Sequence, residues 1–117
     1  MRDFYELNIW QKSHQLTLKI YIATRSFPKD EIYGLTGQIR RSSSSIPANI
    51  AEGCGRNGNG EFRYFLTIAT GSCSEVEYQL LLSRELHYID QVTYEELSGL
   101  AVQIRKMIYA FIQRLNF

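Results

Sequence analysis

Ile32-Tyr33-Gly34-Leu35-Thr36-Gly37-Gln38-Ile39-Arg40-Arg41-Ser42-Ser43-Ser44-Ser45-Ile46-Pro47-Ala48-Asn49-Ile50-Ala51-Glu52-Gly53 decides the fold of this chain. Ile32, Leu35, Ile39, Ile46 and Ile50 recur at helical spacing, and Ser43 fills the one turn of that stripe without an apolar side chain. Pro47 interrupts the helix chemically without resetting its rhythm. It has no N–H to give the Ser43 carbonyl, and its ring presses on that carbonyl, at a cost of ~3 kcal/mol in a helix interior. Ser42, Ser43, Ser44 and Ser45 occupy the turn before it, where their hydroxyls can reach backbone carbonyls and ease a bend. The pattern predicts one long, proline-kinked helix rather than two short ones.

Three more helices flank it. The first is predicted from near Asn8, with Gln11 placed to complete a capping box, to about Phe27, where Pro28 stops it. Ile9, Leu16, Ile20 and Phe27 mark its inner face. The second opens around Asp30 and Glu31, whose charges suit a helix N-terminus, and ends at Gly53. The glycine-rich segment 53–60 reads as a loop. The third runs from about Glu61 to Tyr88, with Phe62, Phe65, Leu66, Ala69, Val76 and Leu80 on its apolar face. Its small run Ala69-Thr70-Gly71-Ser72-Cys73-Ser74 implies a tight helix crossing, because Gly71 alone costs ~1 kcal/mol of helix propensity. The fourth starts at a Thr93–Glu96 capping box flanked by Val92 and Leu97, and its stripe of Leu97, Leu100, Ala101, Ile104, Ile108, Phe111 and Leu115 runs to the C-terminus. No segment alternates as a strand does. The expected fold class is all-α: an antiparallel up-down-up-down four-helix bundle with a proline-kinked second helix, residues 1–117 forming a single domain.

At 44% hydrophobic and 21% charged residues the composition is that of a folded globular protein rather than a disordered one. No apolar run approaches the ~20 residues of a membrane span, and the Met1-Arg2-Asp3 start lacks the apolar core of a signal peptide, so a cytoplasmic protein is expected. Cys54 and Cys73 are too few for a disulfide framework or a zinc site and read as buried or semi-buried reduced thiols. The net charge of +1 hides uneven blocks. Residues 25–63 hold six bases against four acids, residues 64–96 hold Arg84 against six acids, and residues 97–117 hold Arg105, Lys106 and Arg114 with no acid. Alternating blocks suit contacts between helices or between subunits.

Candidate chemistry is sparse. Gly53-Cys54-Gly55-Arg56-Asn57-Gly58 fits the string of the dinucleotide fingerprint, yet that fingerprint needs a preceding strand and a βαβ unit, and here a helix precedes it. His14 and His87 lack the Glu-x-x-His spacing of a di-iron bundle, so no metal or other cofactor is expected. The serines have no nearby base to activate them. Arg40 and Arg41, with Arg56 and Arg63 beyond the kink, are the candidate phosphate contacts. Adjacent helical residues point ~100° apart; one of Arg40 and Arg41 is therefore expected at the surface and the other paired with Glu52, Glu75 or Glu77. Trp10, Tyr21, Tyr33, Tyr64, Tyr78 and Tyr109 are too many for the interior of a slim bundle, and aromatic surplus with arginine favours a protein interface.

Gly34-Leu35-Thr36-Gly37-Gln38-Ile39-Arg40-Arg41 and Ser45-Ile46-Pro47-Ala48-Asn49-Ile50-Ala51-Glu52-Gly53 resemble the signature of the 23S rRNA intervening-sequence proteins, a family of small four-helix bundles. The likeness extends to Trp10-Gln11-Lys12-Ser13-His14, Glu61-Phe62-Arg63-Tyr64-Phe65-Leu66 and Gly71-Ser72-Cys73-Ser74-Glu75-Val76-Glu77, and so reaches to about Leu86. It implies a ring-shaped homopentamer, and with it a non-enzymatic, self-associating scaffold or adaptor whose first partner is itself. The alternative implied by the resemblance is a nucleic-acid-binding accessory protein, like those of diversity-generating retroelements, with Arg40, Arg41, Arg56 and Arg63 repeated around the ring. The net charge of +1 departs from that strongly basic subgroup. An enzyme would need a site assembled between subunits from residues such as Glu52, Arg40 and His14.

Overall fold

Short hydroxyl side chains inside a helix turn back onto carbonyls one turn earlier, and the serines before Pro47 do so. In the computed structural model, which describes residues 2–115, Ser42, Ser43 and Ser44 donate to the carbonyls of Ile39, Arg40 and Arg41 at 3.3, 3.2 and 3.2 Å. Pro47 is buried inside a single uninterrupted helix, α2 (Leu35–Cys54). The Ser43 carbonyl, deprived of its intrahelical donor, accepts a hydrogen bond of 2.9 Å from the Thr17 hydroxyl. Thr17 belongs to α1 (Asn8–Ala23). Its one hydroxyl proton is shared with the Ser13 carbonyl at 3.0 Å.

The remaining α-helices are α3 (Gly58–Glu85) and α4 (Gln91–Arg114), and among the described residues there is no strand. The four pack as a bundle of 45 × 23 × 20 Å. α2 and α4 each contact both α1 and α3, so α1 and α3 lie across the diagonal. Polar pairs tie α2 and its approach to α3: Ser45 to Ser72 at 2.7 Å, Ser42 to Gln79, and Glu31 to the Tyr88 hydroxyl at 2.8 Å. The core is aliphatic. Leu16 and Ile20 meet Ile39, Ile46 and Ile50, then Leu66, Val76 and Leu80, then Ile104 and Ile108, all buried. Each such side chain stabilises the fold by roughly 1.5–3 kcal/mol relative to exposure.

Several expected boundaries move, each for a local reason. Asn8 does open α1, but Leu7 is its N-cap without a side-chain bond, and the Gln11 amide reaches the Tyr5 carbonyl at 2.7 Å instead of closing a capping box. α1 ends at Ala23, not Phe27. A 3₁₀ turn over Thr24–Ser26 follows, and Phe27 is extended, as a residue before proline prefers to be. Asp30 and Glu31 lie in another 3₁₀ turn, Lys29–Glu31, so α2 starts only at Leu35; Glu31 still serves it, accepting from the Leu35 N–H at 3.1 Å. Ile32 is consequently exposed. The glycine-rich loop shrinks to Gly55, Arg56 and Asn57, because α2 continues through Gly53 and α3 begins at Gly58. Gly53 serves close approach: a Cβ there would lie 2.8 Å from Phe62 Cδ1 and 3.1 Å from Phe65 Cβ.

α3 stops at Glu85 rather than Tyr88. His87 takes a left-handed φ of 63°, its N–H bonds the Arg84 carbonyl, and the Tyr88 N–H bonds the Ser83 carbonyl, which together close a Schellman ending. α4 is capped by Asp90, whose carboxylate accepts from the Thr93 N–H at 2.7 Å, and not by Thr93; that bond holds the Asp90 carboxyl below its ordinary pKa. The helix thus starts at Gln91, which leaves Val92 exposed and the expected staple with Leu97 unformed. The run of α4 to the C-terminus ends at Arg114, and Asn116 and Phe117 lie outside the described residues. The tight crossing of the small run uses Ala69, Ser72 and Cys73, which are buried, while Gly71 faces open space.

Two measurements test this core. Thr17→Val keeps the side-chain shape but strands the Ser43 carbonyl, and is expected to lower stability by ~1–3 kcal/mol in urea denaturation. Pro47→Ala returns an N–H to that carbonyl, so the same Thr17→Val change made in its background costs less, with a coupling of about 0.5–3 kcal/mol in a double-mutant cycle. The thiols give a pH test. Burial pushes Cys73 from its ordinary 9.0 up to about 12, with Glu77 adding to the shift and Arg105 opposing it, and burial also raises Cys54. A thiol kept protonated in the fold contributes stability fully below its unfolded pKa and loses it as pH rises through the folded one. The urea midpoint is therefore expected to fall from about pH 9 upward. At about pH 8 both thiols are expected to resist a thiol-directed reagent until denaturant is added.

Candidate functional site

The four arginines singled out by sequence do not converge. Arg40 is tied to the end of α1: its Nε donates to Thr24 Oγ1 at 2.9 Å, its Nη2 to the Tyr21 carbonyl at 3.4 Å, and its guanidinium lies 4.7 Å from the Tyr21 ring centroid. Among the described residues no carboxylate pairs with it, contrary to expectation. Arg41 is exposed, about a quarter-turn further round α2. Arg56 sits in the turn after α2, 3.4 Å from Glu52 and stacked over Phe65. Arg63 is exposed near the start of α3.

Of these, Arg63 alone joins a larger basic feature. An open groove of about 1150 Å³ runs between α3 and α4. On the α3 side, Arg63, Thr67, Thr70 and Ser74 follow one another at spacings of four, three and four, so they share a face. Their short side chains make a trough. The hydroxyls of Thr67, Thr70 and Ser74 turn back onto the carbonyls of Arg63, Thr67 and Thr70 at 2.8, 2.7 and 3.4 Å. On the α4 side stand Arg105, Lys106, Tyr109, Gln113 and Arg114. Among the described residues no carboxylate lines the groove. Behind it, Glu77 takes Arg105 in a two-pronged pair, Nε to Oε2 at 2.7 Å and Nη2 to Oε1 at 3.3 Å, which raises the Arg105 pKa further and offsets its positive charge.

Sequence reasoning missed Arg105, Lys106 and Arg114 as site residues, although the acid-free block 97–117 carried the signal. It also took the small residues of α3 wholly as packing, whereas half of that face forms the trough. The other candidates hold structural positions. His14 stacks on Trp10 with centroids 5.0 Å apart, and His87 closes α3. The serine hydroxyls before Pro47 are engaged with backbone carbonyls, Gln79 and Ser72. Among the described residues no three His, Cys, Asp or Glu side chains come together as metal ligands, and no helix is long and apolar enough to cross a membrane.

Comparison with known proteins places this architecture. The profile of the 23S rRNA-intervening sequence proteins matches residues 5–110. A crystal structure of a protein of the S23 ribosomal protein family from Bacteroides thetaiotaomicron superposes with a TM-score of 0.81 at 28% identity, over 90% of this chain and 98% of that one. No curated protein matches the sequence. With nearly the whole chain matched by one family profile and the same fold in a relative, the protein belongs to the 23S rRNA-intervening sequence protein family.

Proposed function

We propose that this protein is a non-enzymatic, cytoplasmic scaffold or adaptor that assembles into a ring of five identical chains. One observation carries the reading: two apolar stripes lie exposed on helices that sit across the bundle diagonal from one another. Leu18, Tyr21 and Ile22 are exposed on α1, Ile22 by 59%, and Tyr64, Ile68 and Tyr78 on α3, Tyr64 by 63%. Two different stripes on opposite sides of a protomer suit a heterologous contact, in which one face meets another face of the next copy and the series closes as a ring. Resemblance to pentameric family members supplies the number five. The protomer taken as the ring's unit is an up-down-up-down bundle with α2 bent at Pro47. Short connections at residues 55–57 and 86–90, and cross-helix pairs joining the start of α2 to the end of α3, support that course.

Light scattering coupled to size exclusion at micromolar concentration is expected to give five times the 13.6 kDa of one chain. Ile22→Glu and Ile68→Glu, one on each stripe, are each expected to release monomers of unchanged helicity. A wild-type monomer at that concentration overturns the ring.

A second reading is favoured by the groove itself: a nucleic-acid backbone lying between α3 and α4, repeated around the ring. Phosphates are drawn by clustered Lys and Arg, and their release of counterions makes binding fall steeply with salt. In mobility-shift titrations at several salt concentrations, Lys106→Ala/Arg114→Ala is expected to weaken binding and flatten the log–log salt slope by roughly 1.5. Arg40→Ala/Arg41→Ala, on another face, is expected to leave both unchanged. The opposite pattern removes the groove from consideration.

A further inference from the structure

Where α1 gives way to α2, residues 24–40 enclose a smaller cavity of about 310 Å³ that shares no residue with the α3–α4 groove. Three cations, Arg25, Lys29 and Arg40, line it, and among the described residues no carboxylate does. The nearby acid Glu31 is engaged elsewhere, its carboxylate accepting from the Leu35 N–H and the Tyr88 hydroxyl. Arg40 is pre-set by the buried Thr24 hydroxyl and the Tyr21 ring, so its planar fork is held in place before any ligand arrives. Phe27 and Ile32 supply an apolar wall.

One further lining residue lacks what the others have. Thr36 is only 3% exposed, and its hydroxyl is the one buried side-chain polar atom among the described residues with no hydrogen-bond partner. A buried donor left unpaired is unfavourable, and native folds seldom keep one without a reason. That oxygen is closed to solvent and so stands behind the pocket wall; the groups open to a ligand are the three cations, the complement of an anion with several oxygens.

We propose that this cavity binds the phosphoryl group of a small phosphomonoester. A doubly charged phosphoryl group matches the triple positive charge better than a carboxylate does, and the Arg40 N–H groups not spent on Thr24 and Tyr21 remain to meet its oxygens. The wall of Phe27 and Ile32 takes an apolar organic portion of the same molecule. The volume suits a small ligand.

Calorimetric titration of the full chain with phenyl phosphate, and separately with inorganic phosphate, tests this. Saturable binding of phenyl phosphate is expected, tighter than that of the inorganic ion; equal affinities would overturn the role given to the apolar wall. Arg25→Ala and Lys29→Ala remove exposed side chains and are expected to leave thermal unfolding unchanged while weakening binding by roughly ten-fold each. Thr36→Val is expected to raise the unfolding temperature of the ligand-free protein, since it deletes an unpaired buried hydroxyl, and to leave binding unchanged. The proposal falls if neither compound gives saturable heat at millimolar concentration. It also falls if Lys29→Ala binds as the wild type does, or if Lys106→Ala in the other groove abolishes binding.

Discussion

A buried carbonyl that has lost its helical donor must find another, and the Ser43 carbonyl finds Thr17. Left bare it would cost ~1–3 kcal/mol, a sizeable part of the 5–15 kcal/mol by which a domain of this size is stable. The bond therefore fixes where α1 sits along α2. Contacts on either side keep the same alignment: Arg40 reaches back to Thr24, and at the other end the Arg2 N–H bonds the Cys54 carbonyl. On the opposite flank of α2, Ser42 and Ser45 hold Gln79 and Ser72 of α3. The hydrophobic side chains between these pairs supply most of the stabilisation but little direction, because apolar burial is non-directional. Hydroxyls placed around one proline supply the register.

The helical stripe of α2 was legible because burial and period agree: Leu35, Ile39, Ile46 and Ile50 are all buried as their spacing requires. The same holds for Leu97, Ala101, Ile104 and Ile108 of α4. Helix starts were less legible, since several side chains compete for the same free N–H groups. Asp90 outcompetes Thr93 from three residues before it, and Glu31 caps Leu35 from outside the helix rather than beginning it. Glycines misled in both directions. Gly53 looked like loop and is needed inside α2 by Phe62, while Gly71 looked like packing and faces the groove.

The candidate site was the least legible part. Arg40 and Arg41 are neighbours in sequence, yet the helix sends them to different faces, and Arg63 finds its basic companions more than forty residues away on α4. A groove between two helices is a property of their packing. No spacing rule within either helix could have joined Arg63 to Arg105, Lys106 and Arg114.

Net charge is likewise a poor guide to what this surface attracts. Glu85, Asp90, Glu95 and Glu96 gather about the turn from α3 to α4, while Arg63, Lys106 and Arg114 lie towards the other ends of the same two helices. Charges of opposite sign separated along a 45 Å molecule sum to almost nothing, yet each end presents its own field within the ~8–10 Å over which salt lets charges act. The groove and the apolar stripe of α3 also adjoin: Arg63 and Thr67 line the one, and Tyr64 and Ile68, each a single residue further on, form the other. A second copy seated on that stripe would therefore raise a wall along the groove, deepen it and lower the dielectric around its cations. A change at Ile68 that kept such a copy away would then alter the field around cations it never touches.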